Sequence, residues 1–132
     1  MRRRMRTSRG RIRLIAARAL ASLPAEVRER LDNIAIAVEE LPTRADRAAG
    51  GHRPRPRALV LGIYRGWPLA ARGDGYHLAL PDHIAIFRRP LLAYCRSQRQ
   101  LTCEIGRTLL HEVGHHFGLD DATLERLEAQ TG

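Results

Sequence analysis

Three short apolar runs in the middle of the chain are rich in β-branched residues, and turn-forming or charged residues bound each of them. Runs of this kind are typical of buried strands. They predict strands over residues 34–38, 58–64 and 83–87, and the pattern allows a further short strand over residues 76–80.

The longest helix is predicted to begin after Ser97. Gln100 follows Ser97 by three residues, a capping-box spacing that starts helices. Gly118 is predicted to end the helix, because glycine readily takes the left-handed conformation found just after a helix C-terminus. Between them an apolar residue recurs at every fourth position, which predicts one helix face packed on a sheet. These residues are Leu101, Ile105, Leu109, Val113 and Phe117.

Shorter helices are predicted on both sides of the strands. Pro24 stands in the first turn of one helix, where its missing N–H costs no hydrogen bond, and Asp120 or Asp121 is suited to cap the last helix. Glycines and prolines predict a surface loop over residues 50–56 and a turn over residues 73–75. The short helices are predicted over residues 24–31, 41–49, 90–94 and 122–129. The order of elements predicts an α+β domain, with a short mixed sheet of three to four strands packed on the long helix.

The positive charge is concentrated at the N-terminus. The chain has 132 residues, 44% of them hydrophobic and 28% charged, a composition typical of one globular domain. The net charge is +9, and residues 1–18 hold eight Arg and no acidic residue. The remaining residues carry 15 Arg against 14 acidic side chains, a net of +1. We therefore expect an Arg-rich tail over residues 1–21, disordered or loosely helical and able to contact anions or nucleic acid nonspecifically, followed by a folded domain over residues 22–132.

Several classes of protein are disfavoured by the same pattern. No apolar stretch approaches the roughly 18 residues that a membrane-spanning helix needs. Arg13 and Arg18 interrupt the apolar region that a signal peptide would require, so export is not expected. Cys95 and Cys103 are too few for a disulfide scaffold and too far apart for a C-x-x-C pair. These features predict a cytoplasmic protein.

The chemistry is concentrated in residues 111–121, which read HEVGHHFGLDD and match H-E-x-x-H-x-x-G-x-x-D. His111 and His115 are one helical turn apart, so both imidazoles project from one side and can bind one Zn²⁺. Glu112 is adjacent to a ligand and suited to act as a base towards metal-bound water. Gly118 allows a sharp turn after which Asp121 can return as the third ligand, although Asp121 could instead serve only as a helix cap.

Other polar residues near the motif have less certain roles. His116 falls on the apolar face of the helical wheel and is predicted to be a core histidine. Glu104 and Thr108 lie on the side of the histidine pair and are candidates to orient a ligand. Residues in or beside the strands are candidates to stabilise an oxyanion, and the sequence does not choose among them. They are Tyr64, Arg65, Tyr76, His77 and His83.

The motif resembles that of zincin metallopeptidases, with Asp121 at the position where metzincins carry their third histidine. Segments across residues 22–130 are similar to a family of small bacterial zincin-like proteins with a minimal zincin fold. The resemblance implies that His111, His115 and Asp121 bind one Zn²⁺, that Glu112 is the base, and that the substrate is a peptide or protein. The Arg-rich tail has no counterpart in the family. The similar segments are LDNIAIAVEELP at 31–42, LVLGIYRGWPL at 59–69, LPDHIAIFRRPLL at 80–92 and TLLHEVGHHFGLDD at 108–121.

The leading hypothesis is therefore a zinc-dependent metallopeptidase that hydrolyses peptide bonds by glutamate-assisted attack of metal-bound water. One alternative is a metal-dependent endoribonuclease of RNA maturation, which would suit the Arg-rich tail. That family, however, lacks a glutamate after the first histidine and has a third histidine at the end of its motif. The other alternative is a non-catalytic metal-binding or interaction domain.

Overall fold

A mixed sheet of three strands forms one layer of the fold within the described part of the chain. This computed structural model describes residues 6–29, 31, 34–49, 60–66 and 82–131. Strands β1 (Ile34–Glu39), β2 (Gly62–Arg65) and β3 (Asp82–Phe87) follow the spatial order β1-β3-β2. The central strand β3 is parallel to β1 and antiparallel to β2. The predicted short mixed sheet is therefore confirmed.

Six helices surround the sheet in the described residues, and each predicted helix is present with slightly different ends. The longest, α5, carries the H-E-x-x-H segment and packs against β2. Its apolar row is buried, as predicted, except that Phe117 at its end is only half-buried. The helices are α1 (Arg9–Ala21), α2 (Ala25–Arg28), α3 (Arg44–Ala49), α4 (Arg88–Tyr94), α5 (Gln98–His116) and α6 (Asp121–Thr131). The architecture is the predicted α+β fold with a long helix.

The central strand β3 is apolar on both faces because each face covers a different cluster. Ile84 and Ile86 are fully buried in the main core, which β3 shares with the apolar faces of α1 and α5. Ala85 and Phe87 alternate with them and belong to a smaller cluster on the opposite face. A strand buried on both sides lacks the polar alternation of a half-exposed strand, which explains the continuous apolar run in the sequence.

Residues 9–21, within the predicted Arg-rich tail, form helix α1. Ser8 caps its N-terminus by accepting a hydrogen bond from the Arg11 N–H. Ile12, Ile15 and Ala16 lie at the i, i+3, i+4 spacing of one helix face, and all three are buried in the main core. Residues 9–21 thus contribute an apolar face to the core while their arginines are exposed, and the division of the chain near residue 21 stays a prediction.

Several predicted features fall outside the described residues. They are the start of the second strand at residues 58–59, the loop over residues 50–56, the turn over residues 73–75 and the optional strand over residues 76–80. Among the described helices, none has both the length and the apolar character required to cross a bilayer.

Candidate metal centre

The long helix α5 begins and ends where its capping residues require. The Ser97 side chain accepts a hydrogen bond from the Gln100 N–H at 3.0 Å. At the other end, the Gly118 N–H donates to the His115 carbonyl at 3.0 Å and the Leu119 N–H donates to the Gly114 carbonyl at 2.9 Å. This is a Schellman motif. Gly118 has a φ of 81°, a backbone conformation that glycine takes without steric cost.

Two adjacent aspartates after this turn have different roles. Asp120 caps α6, because its Oδ1 accepts a hydrogen bond from the Thr123 N–H at 2.8 Å. Hydrogen bonds from the Thr123 side chain and backbone hold the pKa of Asp120 below its ordinary value. Asp121 is the first residue of the helix itself. The capping role that the sequence left open between these residues thus belongs to Asp120, and Asp121 is not needed for it.

Three donor side chains of the H-E-x-x-H-x-x-G-x-x-D motif come together at this end of α5. Ligand atoms of His111, His115 and Asp121 all lie within 4.8 Å of one another. The His115 Nε2 atom is 2.7 Å from the Asp121 Oδ1 atom. His111 is only 7% exposed, whereas the Asp121 side chain is 65% exposed, so the cluster extends from the protein interior to the surface. Two imidazoles and one carboxylate are a donor set typical of catalytic zinc sites, and these residues fit a zinc ion.

Close packing of α6 on α5 fixes the position of Asp121, which supplies the carboxylate of this cluster. A Cβ added at Gly114 would overlap the side chain of Leu124, which is fully buried. The absence of a side chain at Gly114 therefore lets α6 approach α5 one residue before His115. A larger residue at this position would move α6 and the Asp121 carboxylate with it.

Glu112 faces the sheet. The residue is 5% exposed, and its Oε2 accepts a hydrogen bond from the Tyr64 N–H of β2 at 3.2 Å. The Glu112 carboxylate therefore lies against the backbone of β2, the strand that pairs with β3. The Glu112 carboxylate thus contacts β2, whereas the side chains of His111 and His115 contact α6.

Tyr64 connects Glu112 to a second polar group that the sequence did not reveal. The Tyr64 hydroxyl donates to Asp82 Oδ2 at 2.8 Å, and its ring stacks on His116 with centroids 3.8 Å apart. The His116 Nε2 atom lies 4.0 Å from Asp82 Oδ2. The prediction that His116 is a core histidine is wrong: its side chain is 38% exposed. The helical wheel misplaced it because α5 ends at this residue and the core no longer covers its face.

The other oxyanion candidates are placed differently. Arg65 lies in an ion cluster, with Nη1 2.7 Å from Glu39 Oε2 and Nη2 2.6 Å from Asp46 Oδ2. Hydrogen bonds to these two carboxylates raise the pKa of Arg65. His83 lies beside it, with Nε2 3.4 Å from Arg65 Nη1. Both residues thus belong to this ion cluster, while Tyr64 is the candidate that contacts Glu112. Tyr76 and His77 lie outside the described residues.

Glu128 of α6 approaches His111 and was not predicted. Its Oε2 atom lies 3.4 Å from the His111 Nε2 atom. Its other oxygen is 2.6 Å from Arg107 Nε, and Arg107 also contacts Glu104 at 3.3 Å. Glu104, a predicted candidate to orient a ligand, therefore connects to His111 through Arg107 and Glu128.

Thr108, the other candidate to orient a ligand, packs towards the sheet. A Cβ added at Gly62 of β2 would lie 2.7 Å from the Thr108 methyl group, so this methyl contacts the backbone of β2. An orienting role for Thr108 stays a prediction.

Comparison with known proteins agrees with the motif and the fold. The profile of the zincin-like metallopeptidase family matches residues 31–131, about three quarters of the chain. No curated protein matches the sequence. The family implies zinc binding, and the cluster of His111, His115 and Asp121 supplies a group able to hold a metal ion. The chain therefore belongs to the zincin-like metallopeptidase family.

Proposed function

We propose that the protein is a zinc-dependent metallopeptidase that hydrolyses peptide bonds. His111, His115 and Asp121 would hold one Zn²⁺, and Glu112 would act as the general base. The observation that carries the proposal is the convergence of these three donors within 4.8 Å on a chain of the zincin-like family. Family membership supports a metal-dependent peptidase in general, and the assignment of individual residues is our proposal.

The chemistry requires both a metal and a positioned base. A bound zinc ion polarises the scissile carbonyl and lowers the pKa of water. The Glu112 carboxylate would accept a proton from the attacking water at one oxygen and later give it to the leaving amine. The Tyr64 N–H bond to Oε2 fixes the direction of the Glu112 side chain. Burial of Glu112 restricts its side chain to few rotamers, so the carboxylate is already oriented before the reaction.

The sheet offers a place for the substrate backbone. In the described residues β2 pairs with β3 on one side, and the Tyr64 backbone contacts Glu112. An extended peptide that added to β2 as a further strand would pass close to the base. We therefore propose β2 as the strand that aligns the substrate, a choice that the sequence left open among three strands.

Three predictions from the sequence stay predictions at this point. They are the cytoplasmic location, nonspecific contact of the N-terminal arginines with anions or nucleic acid, and the division of the chain near residue 21. The residues that would carry hydrolysis lie on α5, β2 and α6, so the proposed activity does not depend on any of the three.

The test compares the zinc-loaded parent with Glu112→Gln on a broad peptide library, read by mass spectrometry. We expect the parent to cleave peptides and Glu112→Gln to retain zinc while losing cleavage. Glu125→Gln is the matched control, because Glu125 is an exposed glutamate of α6. It should cleave at the parent's rate. Equal cleavage by Glu112→Gln would contradict the assignment of the base, and a zinc-loaded parent that cleaves nothing would favour the non-catalytic metal-binding domain.

A further inference from the structure

The two helices that carry the donor cluster form an antiparallel hairpin with polar residues on facing sides. Arg107, His111 and His115 follow one another at four-residue intervals along α5. Asp121 and Glu128 are seven residues apart on α6, which is close to two full turns and places both on one face. The contacts pair His115 with Asp121 near the turn and His111 with Glu128 farther from it. The face of α6 that carries Asp121 and Glu128 therefore lies along the face of α5 that carries His111 and His115.

Glu128 approaches the Nε2 atom of His111. A carboxylate that merely orients a metal-binding histidine contacts the ring nitrogen that does not hold the metal. Glu128 instead approaches Nε2, the same type of nitrogen that His115 presents to Asp121. If His111 binds the metal through Nε2, Glu128 occupies the position of a donor and not of an orienting partner.

The distance agrees with this position. Two donors bound to one tetrahedral zinc ion at about 2.0–2.1 Å are separated by about 3.3–3.4 Å. The Glu128 Oε2 atom is 3.4 Å from the His111 Nε2 atom. Glu128 is not part of the group whose donors all lie within 4.8 Å of one another. To join His115 and Asp121 at one ion, its side chain has to rotate towards them.

Arg107 holds Glu128 from the other side. The Arg107 Nε atom lies 2.6 Å from Glu128 Oε1, and the Arg107 side chain is about half exposed. A metal ion at the histidines and the guanidinium of Arg107 would thus compete for the same carboxylate.

We propose that Glu128 is a fourth protein donor to the metal, held back from it by Arg107. The inference rests on the proposed metal site and adds a second carboxylate from α6 to it. Zinc with two neutral histidines and two carboxylates forms a site of zero net charge, whereas Asp121 alone leaves a charge of +1. The metal would then join α6 to α5 at two points, and the fourth coordination position would be filled by the protein until Glu128 withdraws towards Arg107.

The test measures zinc affinity by competition with a chromophoric chelator, together with the visible absorption of bound Co²⁺, which reports the donor set. Glu128→Gln keeps the size of the side chain and removes its charge. We expect it to weaken zinc binding at least about tenfold and to change the Co²⁺ spectrum. Glu29→Gln, at an exposed glutamate that follows α2, should leave both unchanged.

Arg107→Gln separates a donor from a structural contact. It breaks the same ion pair as Glu128→Gln but retains the Glu128 carboxylate. If Glu128 is a donor, Arg107→Gln binds zinc as tightly as the parent or more tightly. Equal weakening by both variants would show that the ion pair acts by positioning α6, and would overturn the proposal.

The outcome can be read apart from the proposed peptidase activity. If the parent binds zinc and Glu128→Gln has the same affinity and Co²⁺ spectrum, this inference fails while the three-residue site stands. Absence of peptide cleavage would overturn the proposed function without altering the zinc titrations. Circular dichroism of each variant without metal identifies any loss of helix that would lower affinity indirectly.

Discussion

The adjacent residues Asp120 and Asp121 provide a sharp test of the site, because Asp120 caps α6 whereas Asp121 is the proposed metal ligand. Asp120 accepts the Thr123 N–H at 2.8 Å, whereas Asp121 lies 2.7 Å from His115 Nε2. Replacing Asp120 with Ala removes a helix cap, so it should lower the free energy of unfolding equally with and without zinc. Replacing Asp121 with Ala should lower mainly the stabilisation that zinc provides.

The size of that stabilisation follows from linkage. A ligand present at 100 times its Kd stabilises the native state by about 2.7 kcal/mol. Loss of a residue that only orients a ligand weakens metal binding by up to about a hundredfold, and loss of the proposed ligand Asp121 should cost no less. At about a hundredfold, the same zinc concentration supplies only about 0.4 kcal/mol. Asp121→Ala should therefore lose about 2.3 kcal/mol of zinc-dependent stability, and Asp120→Ala should lose none of it.

Urea unfolding with and without zinc measures both quantities for the parent and the two variants. The reasoning would be refuted if Asp120→Ala lost the zinc-dependent increment and Asp121→Ala kept it, because the cap and the ligand would then be exchanged. It would also fail if both variants kept the full increment, since Asp121 would not bind the metal.

Further substitutions test the turn after α5 and the ion cluster of Arg65. Gly118→Ala forces a residue with a Cβ into a φ of 81° and should destabilise the protein by about 1–2 kcal/mol in urea unfolding. Gly106→Ala, in a helix position with nothing within 4 Å of the new Cβ, should instead be neutral or stabilise by up to about 1 kcal/mol; equal losses in both variants would contradict the backbone argument. Burial opposes ionisation of Asp46, but hydrogen bonds from Arg65 and Thr43 outweigh it and hold the pKa of Asp46 below 3.8. Because this native pKa lies below the unfolded value, the carboxylate stabilises the fold above pH 3.8 and this contribution is lost as the pH falls through the native pKa. Asp46→Asn should thus be less stable than the parent by a constant amount between pH 5 and 7, and a difference that did not shrink below about pH 4 would contradict the assignment.

The sequence predicted the elements whose pattern is local. Strands β1 and β3 were predicted because their apolar runs are continuous, and α5 because its apolar row, Ser97 and Gly118 agree on one helix. The donor cluster was predicted because His111 and His115 lie one turn apart whatever the tertiary structure. These features depend on spacing along the chain, which the sequence contains directly.

Contacts between distant segments were harder to predict. Helix α1 was interpreted as a tail because its arginines dominate the composition, although Ile12, Ile15 and Ala16 have the spacing of a buried face. The parallel pairing of β1 with β3 depends on a crossover that no local pattern encodes. Glu128 was missed although it lies two turns after Asp121, because its relevance depends on how α6 packs on α5 at Gly114.

The central claim is that His111, His115 and Asp121 hold one zinc ion, and the metal content of the purified protein tests it most directly. Zinc should be measured by inductively coupled plasma mass spectrometry in the parent and in His111→Ala, after both have been loaded with zinc and desalted together. The account predicts one equivalent of zinc in the parent and its loss in His111→Ala. Equal zinc content in the two proteins would contradict it.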